Sequence, residues 1–451
     1  MKEFIDQLKM SACNDTSLRP YQFDNKLKVY SEWAYSDSVM LQMPTGTGKT
    51  RLFVSTVNDI FLCGMYYGCV KRVLLIAHRT ELVSQISNTL ASYGLEHGII
   101  QSGAPENTEV LIQVASVHTL SRRLDRWEDI AFDFIIIDEA HHAPAQTYMS
   151  ILDTFPNAKL LGVTATPHRL DGWGFAHIFE KLILSPCPMD FINNGFLSDY
   201  DYYSVSSSSP IVGDIDSLPV EVGDFAEDAL VNLLDSGSIR AQVVDSYIKY
   251  ASGKQGVVYA INKAHSYHLC EEYNRRGISA VAIDCDTSAY DRKRLLDLFK
   301  QGEIQVICNV NLFTEGFDCP SIEVIQLVRP TLSLAMYLQQ VGRGLRISSG
   351  KDKALFIDNV GLYLRFGLPS HHKDWTKYFD RQPANIIQSA SERDERTPRT
   401  EKSIEEGNEE VRLIYSTAPE KVDEKTTTAT PNTQQTVNKK LAPILLLASY
   451  L

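Results

Sequence analysis

The feature that most constrains this chain is a short apolar run, Val39-Met40-Leu41-Gln42-Met43, that leads into Pro44-Thr45-Gly46-Thr47-Gly48-Lys49-Thr50. The run reads as a buried strand. Gly46 and Gly48 let the backbone turn tightly and aim N–H groups at an anion. Lys49 is placed to reach β and γ phosphates, and the Thr50 hydroxyl suits Mg²⁺. From Arg51 to Phe61 the apolar residues Leu52, Phe53, Val57, Ile60 and Phe61 fall at helical spacing. The N-terminus of that helix adds its dipole and free N–H groups to the anion site. Position 43, where the general phosphate-loop pattern has Gly, is Met here. Strand, glycine-rich loop and helix in this order imply an α/β fold that holds a nucleotide.

A second segment supplies carboxylates. Asp133-Phe134-Ile135-Ile136-Ile137-Asp138-Glu139-Ala140-His141 contains four successive apolar residues, as expected of a strand covered on both faces of a parallel sheet. Its acidic pair falls where the strand ends, the place where ligands gather in such sheets. Asp138 is the candidate ligand of Mg²⁺ through water. Glu139 is the candidate general base for an attacking water. His141 is the candidate link from this site to the rest of the molecule. Taken alone, an Asp-Glu pair is equally a helix cap.

The alternation continues. Val73–Ala77, 110–115, 134–137 and 160–164 read as further strands between helical stretches, which predicts a parallel sheet covered by helices over residues 1–185. Residues 186–240 read as a connector leading into a second domain, with Ser204 to Leu218 as an exposed excursion. A second alternating unit over 241–383 has strands at 257–260, 280–283, 306–309, 324–327 and 355–358 and no phosphate loop of its own. It ends with Gln339-Gln340-Val341-Gly342-Arg343-Gly344-Leu345-Arg346, in which two arginines lie three apart. Residues 384–451 are polar and charged and read as a largely disordered tail, with Val411–Tyr415 as a strand candidate inside it.

Taken together, these segments resemble the superfamily 2 helicases and translocases of the DEAD/DEAH-box type, with Asp138-Glu139-Ala140-His141 as the box. The ordered match runs from about Leu18 to Asp358. The resemblance implies two tandem RecA-like domains with ATP and Mg²⁺ in the cleft between them, and movement on nucleic acid. It implies an adenine-reading element in Arg19-Pro20-Tyr21-Gln22, with Arg19 and Gln22 at the nucleotide beside Thr45, Gly46, Thr47 and Gly48. It implies catalytic roles for Lys49, Glu139, Arg343 and Arg346, the arginines reaching the γ-phosphate from the opposite face. Gly316 and Asp318 match a nucleotide-side motif, while Thr164, Thr166 and Gln339 match coupling positions beside His141. Nucleic-acid contacts are implied for Arg79, Thr80, Ser116, Thr119, Asn262 and Thr314, with Tyr259 near the same strand and His265 more often an ordinary helix residue than a contact. Thr166-Pro167-His168-Arg169-Leu170-Asp171-Gly172 and Glu315-Gly316-Phe317-Asp318-Cys319-Pro320 further resemble RadD-like helicases and the motor subunits of type I and type III restriction systems. Those families favour DNA over RNA. Two alternatives stay open: a motor subunit that needs partners, and an ATP-gated clamp or sensor with little turnover.

Composition bears on partners and setting. The net charge of −12 is unusual for a nucleic-acid binder, which normally shows a basic patch. Local field outweighs the sum, and the hydroxyls of Thr80, Ser116, Thr119 and Thr314 suit phosphate contacts. The eight cysteines are scattered without a Cys-x-x-Cys pair, which argues against disulfides and structural zinc. No apolar run approaches the ~20 residues of a membrane helix. A cytoplasmic protein without a membrane segment is expected, with the tail as the place for protein partners.

Overall fold

The computed structural model describes residues 1–12, 15–310, 312, 319–381 and 411–417. Two large parallel sheets form from the two alternating units. The first contains β1 (Ser38–Gln42), β2 (Val73–Ala77), β3 (Gly98–Ile100), β4 (Ile112–Ser116), β5 (Phe134–Asp138), β6 (Lys159–Thr164) and β7 (Lys181–Leu184). Their order is β3-β4-β2-β5-β6-β1-β7, all parallel. The second contains β8 (Tyr200–Val205), then, past a small hairpin of β9 (Val220–Glu221) and β10 (Asp224–Phe225), β11 (Gly256–Tyr259), β12 (Ala280–Ile283), β13 (Val306–Asn309), β14 (Val324–Leu327), β15 (Ala354–Asp358) and β16 (Val411–Ser416). Its order is β12-β13-β11-β14-β15-β8-β16, with β16 alone antiparallel.

The near-continuous apolar runs follow from this arrangement. Successive side chains on a strand point to opposite faces, and helices cover both. Val39, Leu41, Val73 and Leu75 enter one core cluster, whereas Met40, Leu74 and Ile76 enter another. The same split recurs in the second sheet, with Val257 and Ile325 on one side and Val258 and Val324 on the other.

Three stretches differ from expectation. Residues 200–205, expected as connector, form a central strand, because Tyr200 and Tyr202 are buried beside β15 and Ser204 Oγ donates to the Asp358 carbonyl at 3.0 Å. The excursion begins only after Val205, and a short helix, Pro210–Asp216, lies inside it. Finally, the helix Trp375–Phe379, within the range expected for the second domain, returns to the first sheet's side. Phe379 joins a core cluster otherwise built from residues of the first lobe, and its carbonyl accepts from Phe175 N at 2.8 Å. Among the described residues no helix is long and apolar enough to cross a membrane.

Candidate active site between two lobes

The phosphate loop is built from the end of β1. Met43 N donates to Thr164 O at 2.9 Å, extending the ladder with β6 by one residue. This explains why a glycine is not needed at position 43: the chain is still extended there, and the turn begins at Pro44. Thr47 Oγ1 donates to Pro44 O at 2.7 Å. Gly48 has φ of +80° and opens the helix Lys49–Tyr67, a conformation in which a Cβ is strained. A Cβ there would also overlap the Gln22 amide.

The loop is gripped from outside by the start of the helix Pro20–Trp33. Tyr21 Oη donates to Thr47 O at 2.8 Å, and Gln22 Nε2 donates to the Thr47 and Gly48 carbonyls at 3.0 Å each. Gln22 Oε1 accepts from Arg19 N at 2.8 Å. Arg19 lies over the Phe196 ring and donates to Tyr21 Oη at 3.2 Å. Tyr21 was not singled out by sequence reasoning, since a phenol that holds a loop 26 residues away has no local signature.

The carboxylate box faces this loop. Lys49 Nζ lies 3.7 Å from Glu139 Oε1, both side chains about nine-tenths buried. Glu139 adopts φ of +50°, a left-handed conformation that costs a non-glycine residue about 1–3 kcal/mol. From there a chain of contacts leads away. Glu139 Oε2 is 3.4 Å from His141 Nδ1, which meets Thr164 Oγ1 at 3.0 Å, and Thr164 Oγ1 accepts from Thr166 N at 3.1 Å. Sequence expectations for Lys49, Glu139, His141, Thr164 and Thr166 therefore converge in one place. Asp138 and Thr50 flank it, Asp138 buried at the end of β5 and Thr50 in the first turn after the loop.

The second lobe reaches the same loop. The helix Leu334–Gly344 buries Gln339, Gly342 and Arg343. A Cβ on Gly342 would lie 2.5 Å from Thr45 Cβ, and one on Gly46 would lie 3.2 Å from Arg346 Cγ. Arg343 and Arg346 both act on the buried Tyr259, whose hydroxyl burial pushes up and the two cations pull down. The arginine-bearing helix thus packs directly on the phosphate loop of its neighbour.

The candidate nucleic-acid residues sit at the carboxyl ends of strands. Ser116 ends β4, and Arg79 and Thr80 follow β2, Thr80 exposed. Thr119 lies on the helix Val117–Ser121. Asn262 caps the helix Lys263–Arg275 through His265 N at 3.0 Å, and its amide donates to Glu227 Oε1 at 3.1 Å. One expectation is corrected: Tyr259 is buried, at 1% exposure, and does not face a groove. His265, at 0% exposure, is the ordinary helix residue its position suggested. His265 is a core histidine whose Nδ1 accepts from Ile261 N at 3.3 Å, and burial holds its pKa down at about 4. Trp173 is half exposed, while its neighbour Phe175 is core. Thr314, Gly316 and Asp318 lie outside the described residues.

The fold and this shared cleft define a two-lobed nucleotide-driven motor. Comparison with known proteins narrows the class. Residues 15–169 match the family model "Type III restriction enzyme, res subunit", and residues 239–348 match "Helicase conserved C-terminal domain". A 51.5 kDa protein of a Lactococcus phage is 34% identical over 355 residues, covering 78% of this chain and 73% of its own. IRC3 of Saccharomyces cerevisiae, itself only provisionally assigned as an ATP-dependent helicase, is 31% identical over 339 residues. That match covers 71% of this chain but 48% of IRC3, so the chain spans about half of that relative. Among solved structures, a fragment provisionally assigned as the HsdR subunit of a type I restriction enzyme from Vibrio vulnificus superposes with a TM-score of 0.63 at 20% identity. It covers 81% of this chain and 68% of its own, and shares the fold. The chain belongs to the superfamily 2 helicases, ATP-dependent enzymes built on tandem RecA-like domains.

Proposed function

We propose that this chain is a DNA-directed motor that hydrolyses Mg-ATP between its lobes and converts lobe closure into movement along a strand. The observation that carries this reading is the packing of Gly342 and Arg346 of the second lobe on Thr45 and Gly46 of the first. A nucleotide held by the loop is then within the reach of cations from the other lobe. In this reading Asp138-Glu139-Ala140-His141 is a DEAH box.

The donor set suits the cofactor. Gly48, at φ of +80°, gives the loop its turn, and a buried carboxylate and a hydroxyl, Asp138 and Thr50, would hold Mg²⁺, which would screen charge on the phosphates. Glu139 takes the proton of the attacking water. Lys49, now beside Glu139, exchanges that partner for phosphate oxygens. Arg343 and Arg346 stabilise the developing charge, as arginines do in other phosphoryl transfers. His141, Thr164 and Thr166 carry the state of Glu139 to the end of β6. Gln339, buried on the arginine helix, belongs to the same relay, and Gly316 and Asp318 are assigned to the nucleotide side. Arg79, Thr80, Ser116 and Thr119 of the first lobe, with Asn262 and Thr314 of the second, take the strand's phosphates. A cytoplasmic setting fits the cysteines, all free thiols among the described residues.

A second reading, a motor subunit that works only with partners, is supported by the likeness to a restriction subunit fold. One experiment separates them: ATP hydrolysis by the purified chain, measured with single-stranded, duplex and forked DNA and with RNA. Stimulation by DNA supports the autonomous motor. Turnover that stays at background until a partner is added supports the second reading. Lys49→Ala and Glu139→Gln should each abolish stimulated hydrolysis, Glu139→Gln while still binding ATP; full activity in both overturns the assignment.

A further inference from the structure

The second lobe's arginines lie at the end of a helix, where the last carbonyls of an isolated helix lack partners. In this chain three successive carbonyls are each held. Lys351 Nζ donates to Gly344 O and, at 3.0 Å, to Arg346 O. The carbonyl between them, Leu345 O, accepts from Ser198 N at 2.8 Å. Ser198 belongs to the link between the lobes. Its neighbour Leu197 also faces the phosphate loop, 3.3 Å from a Cβ placed on Gly46. At the other end of the helix, Ser333 Oγ accepts from Met336 N at 3.2 Å. Both ends are therefore pinned, and the C-terminal pin is a cation placed at the negative end of the helix dipole.

We propose that Lys351 is a positioning residue for Arg346: by clamping the carbonyls on either side of Leu345, it fixes where the arginine helix ends and holds Arg346 over the phosphate loop of the opposite lobe. Lys351 touches neither the loop nor the place for the nucleotide, so it acts through the backbone of Arg346. The turn that brings it back is tight, with Lys351 N donating to Ser348 O at 3.2 Å. Burial pulls its ammonium down to about 7; Arg346 adds to that pull, and Glu323 and Cys319 oppose it. The carbonyls of Gly344 and Arg346 compensate an ammonium that would otherwise be poorly solvated.

The inference rests on the proposed role of Arg346, and a double-mutant cycle tests the two separately. ATP hydrolysis is measured with stimulating DNA for the wild type, Lys351→Met, Arg346→Ala and the double variant. A displacement of the reacting groups by about 1 Å can cost on the order of 100-fold in rate. Lys351→Met should therefore lower kcat roughly 10- to 100-fold, with KM for ATP nearly unchanged. The double variant should be no slower than Arg346→Ala alone, because Lys351 has nothing left to position. Lys351→Gln, which keeps a donor on a shorter side chain, should fall between wild type and Lys351→Met and guards against a variant that simply misfolds. Wild-type kcat in Lys351→Met, or losses that multiply in the double variant, overturns the inference. Full activity in Arg346→Ala overturns the reading of the site itself.

Discussion

At the scale of single residues, the cleft depends on close approach. Gly342 has no room for a side chain, since a Cβ would meet Thr45 Cβ at 2.5 Å. Both partners are on backbone that other contacts fix, so the added atom must push the arginine helix off the loop. Gly342→Ala should cut the kcat for ATP hydrolysis by roughly 10- to 100-fold, while the melting temperature changes little; steady-state kinetics and a thermal melt check both. The residues that gather at the candidate cleft were legible in the sequence because their spacing is local: Gly48, Lys49 and Thr50 follow one strand, Asp138 ends another, and Glu139 and His141 come just after it. Tyr21 and Lys351 were not legible. Each works through backbone carbonyls that the fold alone brings near, and neither belongs to a local pattern of spacing. Tyr259 was misread for the complementary reason. It ends a strand of the right kind, yet burial turns it inward.

At the scale of elements, two helices carry the loop's support. The helix Pro20–Trp33 brings Tyr21 and Gln22 to the phosphate loop, and it is tied to the helix Lys49–Tyr67 by a fully buried ion pair. Lys26 Nζ lies 2.7 Å from Asp59 Oδ2, with Ser55 Oγ accepting from Lys26 and Tyr30 Oη donating to Asp59. Removing one partner strands the other charge in the core, at a cost of about 3–5 kcal/mol. Lys26→Met should show that loss in denaturant unfolding, and Asp59→Asn combined with it should recover part. Ten strands were legible to within two residues, because strands buried on both faces read as continuous apolar runs. Those missed, β3, β7, β8 and the hairpin strands β9 and β10, are short or polar. β8 carries Asp201 and Ser204, whose groups are satisfied by Lys353 and by Asp358. Polar residues matched only across the sheet leave no apolar signature in the chain.

At the scale of the whole molecule, the core histidine His265 and the part-buried His168 contribute to the response to acid. Burial holds His168 at about 4, with Arg381 and His141 adding to the effect and Asp171 opposing it. Burial also holds His265 at about 4, against Asp235. In the unfolded chain both return to about 6.5. Between those limits the unfolded chain binds more protons than the folded one, so stability falls as pH drops through that window. The melting temperature should therefore be lower at pH 5 than at pH 7, with a shallower decline in His168→Leu. The lobes also meet away from the nucleotide: Arg292 Nη1 lies 3.3 Å from Glu81 Oε1, and Glu81 follows the candidate strand-contact residues Arg79 and Thr80.

After β15 the chain doubles back to the first lobe. Gly174 N donates to Arg381 O at 2.9 Å, and the Phe379 ring lies among the aromatic residues of the opposite half. A gene divided between the two motif sets would therefore not yield two freestanding pieces. The front piece would be made with a hole where one aromatic ring belongs, and only co-expression with the back piece would make it whole.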